Sequence, residues 1–128
     1  YGRIGRALAL RLRGLRARVT VAARGEDARA NAVADGCEAV TLEKAAEKRG
    51  CRFLLNTVPA PVVGPEMLSA LLPGALAVDL ASPPYGIDLA AAKALGVDAW
   101  REPGLPGRYA PETAAAAMLS LIEEYNGA

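Results

Sequence analysis

Two glycines three residues apart open the chain, where Gly2-Arg3-Ile4-Gly5 stands at the head of an apolar periodicity of helical spacing. Such a turn has a recognisable chemistry. Gly2 lets the backbone approach a diphosphate, Gly5 lets a helix pack closely on a strand, and the amino end of the helix supplies N–H donors that have no partner within it. The four residues match the second and third glycines of G-x-G-x-x-G, whose first glycine would precede Tyr1. Alone, the half pattern also fits an ordinary glycine-containing turn. The β-branched run Val19-Thr20-Val21-Ala22-Ala23, at the distance such a motif requires, makes dinucleotide binding the better reading.

The end of that second run bears on which dinucleotide. An NAD site places a carboxylate about 20 residues after the turn, where it accepts hydrogen bonds from the ribose 2′-hydroxyl. Here the place is taken by Ala23 and then Arg24. A guanidinium can hold two oxygens of a 2′-phosphate and lie over an adenine, so NADP is favoured, with NAD retained should Glu26 reach the ribose instead. Three further segments follow apolar runs: Asn56-Thr57-Val58-Pro59-Ala60-Pro61, Asp79-Leu80-Ala81-Ser82-Pro83-Pro84 and Pro103-Gly104-Leu105-Pro106-Gly107. The first has short polar side chains suited to a nicotinamide ribose. Asp79 reads better as a buried anchor for loop N–H groups than as a catalytic carboxylate. With no histidine in the chain and no lysine in these loops, no general base stands out, and Ser82, Arg108 and Tyr109 are the side chains that could touch a substrate.

The elements that would position these residues alternate. Ile4, Leu8, Leu12 and Leu15 mark an amphipathic helix ending near Gly14. A strand over 19–23 feeds a helix over 26–35, a weak strand follows over 38–41, and a short helix over 42–49 is closed by Gly50. An apolar strand over 52–58 precedes a helix over 65–72 with proline in its first turn. A buried strand over 75–80, a helix over 88–95 stopped by Gly96, a strand over 97–100 and a helix over 111–125 complete the pattern. Strand–helix alternation at these lengths implies right-handed crossovers and an α/β fold with a doubly wound parallel sheet. Ligands of such sheets lie beyond the carboxyl ends of the strands, which is where the polar segments fall. The strand that a glycine turn follows would precede Tyr1, so a Rossmann domain over 1–128 lacking its first strand is expected, less stable for the exposed edges this leaves.

Length and a 52% apolar composition suit one domain. The longest apolar runs, such as 114–119, are far shorter than the ~20 residues of a membrane span, so a cytoplasmic protein without membrane contact is expected. Cys37 and Cys51, with no histidine to complete a metal set, read as free thiols, and no metal is expected. Formal charge is +1, yet residues 3, 6, 11, 13, 16, 18 and 24 are all arginine and precede the first acidic residue. This basic end could steer an anion or simply be a solvated helix face. Nucleic acid is disfavoured, since no aromatic residues beyond Tyr1 are interleaved as stacking platforms.

The order of the motifs resembles the A subunit of dipicolinate synthase. The segments that carry the likeness are Gly2-Arg3-Ile4-Gly5, Val21-Ala22-Ala23-Arg24, Asn56-Thr57-Val58-Pro59-Ala60, Val78-Asp79-Leu80-Ala81-Ser82 and Pro103-Gly104-Leu105-Pro106-Gly107 with Ala110-Pro111-Glu112-Thr113-Ala114. The resemblance implies an NADP-dependent oxidoreductase that forms dipicolinate from a dihydrodipicolinate-pathway intermediate in spore formation. It further implies a small dicarboxylate substrate, an amino-terminal domain preceding this one and a flavoprotein-like second subunit; a homo-oligomer is left open. Residue by residue it implies Gly2, Arg3, Ile4 and Gly5 at the diphosphate, Arg24 with Ala23 at the 2′-phosphate, and Asn56, Thr57, Val58, Pro59, Leu80, Ala81 and Leu105 on the cofactor's nicotinamide side. Ser82, Pro106 and Gly107 face the substrate in the same reading. Ser82-Pro83-Pro84-Tyr85 departs from the family pattern, in which a lysine or similar residue and a glycine are expected, so substrate choice is less constrained. Fold does not fix function. Other two-domain dehydrogenases of the shikimate, methylenetetrahydrofolate or 2-hydroxyacid kind, and a dinucleotide-sensing module without catalysis, remain the alternatives.

Overall fold

A computed structural model describes residues 1–102 and 119–124. The chain divides into two compact units, the first containing Tyr1–Thr41 and residues 119–124, the second beginning at Leu42. Each is an α/β arrangement around an open parallel sheet, as the alternation of elements requires.

In the first unit, α1 (Arg3–Gly14) buries Leu8 and Ala9 and ends with Arg11 and Arg13 in its last turn, where cations suit the helix dipole. The apolar stripe stops earlier than its spacing suggests. Leu15 is 55% exposed, because Arg16 enters the left-handed region at φ 63° and turns the chain away. Strand β1 (Thr20–Ala22) crosses through α2 (Glu26–Ala34) to β2 (Glu38–Val40), which lies parallel to it in the register Thr20↔Glu38, Val21↔Ala39 and Ala22↔Val40. Glu26 and Asp27 occupy the first turn of α2, the favourable end for acids. Ala9, Ala32 and Cys37 form the centre of this unit's core, with Tyr1, Val19, Val21 and Ala39 packed around them. Residues 119–124 are helical with Leu119 and Ile122 buried; the remainder of the helix expected over 111–125 lies outside the described residues.

The second unit carries α3 (Leu42–Glu47), β3 (Cys51–Asn56), α4 (Pro65–Ser69), β4 (Leu71–Asp79), α5 (Leu89–Ala94) and β5 (Asp98–Arg101). Its three strands lie in the order β3-β4-β5, all parallel. The central strand is the most apolar in sequence and the most deeply placed: Ala75 to Asp79 are all buried, as a strand covered on both faces must be. Val63, Leu68, Ala77, Ile87 and Ala92 make the core of this unit. The helix expected over 65–72 is shorter. It stops at Ser69 because Pro73 disfavours helical backbone at Leu72, while Leu71 already pairs with Cys51 across a register shift in β3. Asp88 caps α5 by accepting the Ala91 N–H at 2.9 Å, and Gly96 at φ 70° ends it. Cys37 and Cys51 are free thiols. Among the described residues no helix is long and apolar enough to cross a membrane, and no cluster of metal-ligating side chains occurs.

Candidate functional site

Two constellations carry the expected site residues, one in each unit. In the first, Gly2 is the N-cap residue of α1, and Arg3, Ile4 and Gly5 form its first turn. Gly2 has no side chain to cap this end and no acidic residue occupies the turn, so among the described residues no side chain takes its N–H groups. A Cβ built on Gly2 would meet nothing within 4 Å, which leaves open space beside its backbone. Beyond β1, Ala23 is buried and its N–H donates to the Val40 carbonyl at 3.1 Å, while Arg24 is exposed. Among the described residues the Arg24 side chain has no hydrogen-bond or ion-pair partner. The segment under it is fixed by a residue that the sequence did not single out. Arg29, one turn into α2, donates through Nη1 to the carbonyls of Ala23 at 2.8 Å and Arg24 at 2.6 Å.

A second tie in this unit joins α1 to the end of α2. Arg6 donates through Nε and Nη2 to both oxygens of Asp35, at 2.7 and 2.9 Å, and the Tyr1 hydroxyl donates to Asp35 Oδ2 at 2.9 Å. The Arg6 hydrogen bonds hold the Asp35 carboxyl below the usual carboxylate range despite a contribution from burial in the other direction. Burial, reinforced by the bond to Asp35, pushes the Tyr1 hydroxyl well above the ordinary tyrosine value.

In the second unit the carboxyl ends of all three strands come into register, Asn56 beside Asp79 and Asp79 beside Arg101. Asp79 is 0% exposed and Asn56 4%. Asp79 Oδ1 accepts from Asn56 Nδ2 at 2.8 Å and from the Ala81 N–H at 3.1 Å; Oδ2 accepts from the N–H groups of Gly86 at 2.7 Å and Ile87 at 2.8 Å. Burial pushes the carboxyl pKa up, but these four hydrogen bonds outweigh it and hold the group below its usual range. Asp79 is therefore the anchor that its sequence position suggested, ionised and fully spent on its neighbours.

Asn56 is spent likewise. Its Nδ2 also donates to the Val58 carbonyl at 3.0 Å, and its Oδ1 accepts the Val58 N–H at 3.2 Å, so the side chain turns inward to shape the loop. Backbone bonds tie the loop after β3 to the loop after β4: the N–H groups of Val62 and Val63 donate to the Gly86 carbonyl, and Asp88 N–H donates to the Val63 carbonyl. Gly86 is required by proximity. A Cβ there would run into the side-chain amide of Asn56 and stand 2.8 Å from the Val58 carbonyl. Nothing in the sequence marked Gly86, since a glycine beside a Pro-Pro-Tyr run reads as turn chemistry.

Of the remaining expected residues, Leu80 and Ala81 are buried behind the anchor, Thr57 and Val58 are half-buried, and Pro59 and Ser82 are exposed at the carboxyl edge. Leu105, Pro106 and Gly107 lie outside the described residues. Two residues that the sequence did not mark as a pair also stand at this edge: the guanidinium carbon of Arg101 lies 4.2 Å from the centroid of the Tyr85 ring.

No family model matches the chain. The A subunit of dipicolinate synthase from Bacillus subtilis strain 168 is 32% identical to it over 124 residues, 96% of this chain and 42% of the relative. The crystal structure of the same subunit from Bacillus halodurans is similar with a TM-score of 0.79 at 36% identity, covering 97% of this chain and 43% of that one. The crystal structure of the Bacillus subtilis subunit gives a TM-score of 0.77 at 32% identity, with coverage of 98% and 44%. The chain thus spans less than half the length of the relatives it matches. With the parallel α/β architecture shared and the identity running along nearly all of its length, this chain is a homologue of the dipicolinate synthase A subunit.

Proposed function

We propose that the chain is the NADP-binding part of a dipicolinate synthase A subunit, an oxidoreductase that converts a dihydropyridine dicarboxylate to dipicolinate in spore formation. In this reaction a hydride leaves the ring for the cofactor and a proton leaves with it. When bound, NADP supplies the hydride acceptor; the protein's part is to hold and orient both partners.

The residues present fit such a cofactor. The first turn of α1, without a side-chain cap among the described residues, free of acidic side chains and open beside Gly2, suits a diphosphate. Gly2, Arg3, Ile4 and Gly5 take that role. Arg24, exposed and without a partner among the described residues, stands where an NAD site would carry a carboxylate, and this single observation carries the preference for a 2′-phosphate. Arg29 fixes the backbone from which Arg24 projects. In the second unit, Thr57, Val58 and Pro59 on one loop and Ser82 on the next are the groups offered to the nicotinamide ribose and the substrate. Asp79 and Asn56 hold those loops. A second, different subunit is the partner of this reading, since the relatives are themselves one subunit of their enzyme.

Calorimetric titration of NADP and NAD, in parallel, into the protein and its Arg24→Ala variant tests it. The expected result is an NADP preference that the substitution removes, at a cost of roughly ten- to a hundredfold in NADP affinity and little in NAD affinity. Equal affinity for the two dinucleotides in the parent protein would overturn the NADP reading.

A further inference from the structure

Arg101 ends β5 at the carboxyl edge of the three-stranded sheet, the side on which ligands of open parallel sheets lie. Its backbone is fixed: it pairs with Asp79, and the next N–H, that of Glu102, donates to the Asp79 carbonyl at 2.8 Å. The surface on which its side chain rests is fixed as well. Tyr85 adopts φ 66°, its N–H donates to the Ser82 carbonyl at 3.0 Å, and the two following N–H groups are bound to the buried Asp79 carboxylate. The Arg101 guanidinium lies over this ring at 4.2 Å from the centroid. A contact through the π face uses none of the five N–H donors of the guanidinium. Among the described residues Arg101 has no ion-pair partner. The side chain is exposed, so among the described residues it is a cation without a counter-charge, resting on a fixed ring, on the same edge as Ser82 and Thr57.

We infer that Arg101, held on the face of Tyr85, binds one carboxylate of the dicarboxylate substrate, and that Tyr85 is the positioning residue for it. The inference rests on the proposed function for the identity of the substrate and not for the geometry. A guanidinium that spends no donor on the described residues can take a planar carboxylate with two parallel hydrogen bonds, a geometry that lysine cannot reproduce. The stacked ring lowers the cost of holding a long side chain in one orientation, which is the usual source of weakness in exposed ion pairs.

The test uses pyridine-2,6-dicarboxylate and pyridine-2-carboxylate as probes, titrated calorimetrically into the full-length protein and its Arg101→Gln, Arg101→Lys, Tyr85→Phe and Tyr85→Ala variants, with NADP titrated alongside. Arg101→Gln is expected to weaken dicarboxylate binding roughly ten- to a hundredfold and to erase the preference over the monocarboxylate, leaving NADP affinity and melting temperature unchanged. Arg101→Lys should recover only part of the loss. Tyr85→Phe, which keeps the ring face, should bind like the parent, and Tyr85→Ala should fall between. Parent-like dicarboxylate affinity in Arg101→Gln, or no dicarboxylate binding by a parent protein that binds NADP, would overturn the assignment. Arg101-dependent dicarboxylate binding without NADP binding would leave it standing and sink the cofactor reading instead.

Discussion

Two aspartates in this chain are held below the ordinary carboxylate range, one in each unit, and they are held in opposite ways. Asp35 meets a cation: Arg6 grips both of its oxygens at the surface of the first unit, with Arg6 itself largely exposed. Among the described residues Asp79 meets no cation. It sits wholly buried at the end of a central strand and is satisfied by three backbone N–H groups and one amide. Surface ion pairs contribute little, because solvent screens the attraction and two long side chains must be ordered. A buried carboxylate with every lone-pair direction used is another matter, since losing it strands several donors where water cannot reach them. The first carboxylate fastens two helices; the second determines the path of two loops that carry the candidate site.

Asp79→Asn should show the largest effect. The substituted amide presents N–H groups towards the Gly86 and Ile87 N–H groups, leaving two buried donors unsatisfied at about 1–3 kcal/mol each. Urea unfolding should report a loss on that scale, and a variant as stable as the parent would mean that Asp79 anchors nothing. The same group gives stability a pH dependence of known sign. Its folded pKa lies below its unfolded value, so its contribution is complete above the unfolded value of about 4 and is lost as the pH falls through the folded one. In Asp79→Asn that part of the acid limb should disappear.

Gly86→Ala should come next. The added methyl must displace the Asn56 amide, which is itself bonded to Asp79, or the Val58 carbonyl, at a cost of about 1–3 kcal/mol for overpacking. Gly14→Ala is the comparison. It ends α1, has nothing within 4 Å of the new Cβ, and should be stabilising by roughly 0.5–1 kcal/mol through helix propensity and a less flexible unfolded chain. Thermal melts of the two variants should move in opposite directions; a parallel shift would mean that proximity to Asn56 is not what the glycine at 86 serves.

The alternation of strands and helices was legible because apolar runs and glycine stops repeat along the chain, and β4 was legible as a buried strand because it is apolar on both faces. Boundaries were less so wherever two local rules compete. Leu71 and Leu72 continue a helical apolar spacing from Met67 and Leu68, yet Pro73 ahead and Cys51 across the sheet place them in a strand. Leu15 continues the stripe of α1 by spacing, and the left-handed turn at Arg16 exposes it. At the site, an aspartate ending an apolar run before a proline-rich loop was enough to suggest an anchor. Its donors were not readable, because Gly86 and Ile87 reach it only through the path of the intervening loop. Arg101 escaped notice for a similar reason: its platform is sixteen residues back in sequence and meets it only through strand pairing.

The smallest effect is expected from Asp35, and its character matters more than its size. Asp35→Asn removes the ionic part of the contact with Arg6 while keeping an acceptor for Tyr1. Because the pair is exposed on the arginine side, its contribution should fade as salt rises and the Debye length shrinks from about 10 Å at 0.1 M to about 3 Å at 1 M. Asp79 faces no charge among the described residues and is shut away from ions, so its effect should survive the same salt. Unfolding midpoints of the parent, Asp35→Asn and Asp79→Asn, measured at low and high ionic strength and over the acid range, separate the two. If high salt abolishes the Asp79→Asn deficit and leaves the Asp35→Asn deficit intact, the distinction between a cation-held and a backbone-held carboxylate fails. If the reverse holds, the loops of the second unit are fixed by a contact that neither salt nor mild acid releases, which is the condition for holding Thr57, Ser82 and Arg101 in one arrangement, as the proposed substrate site requires.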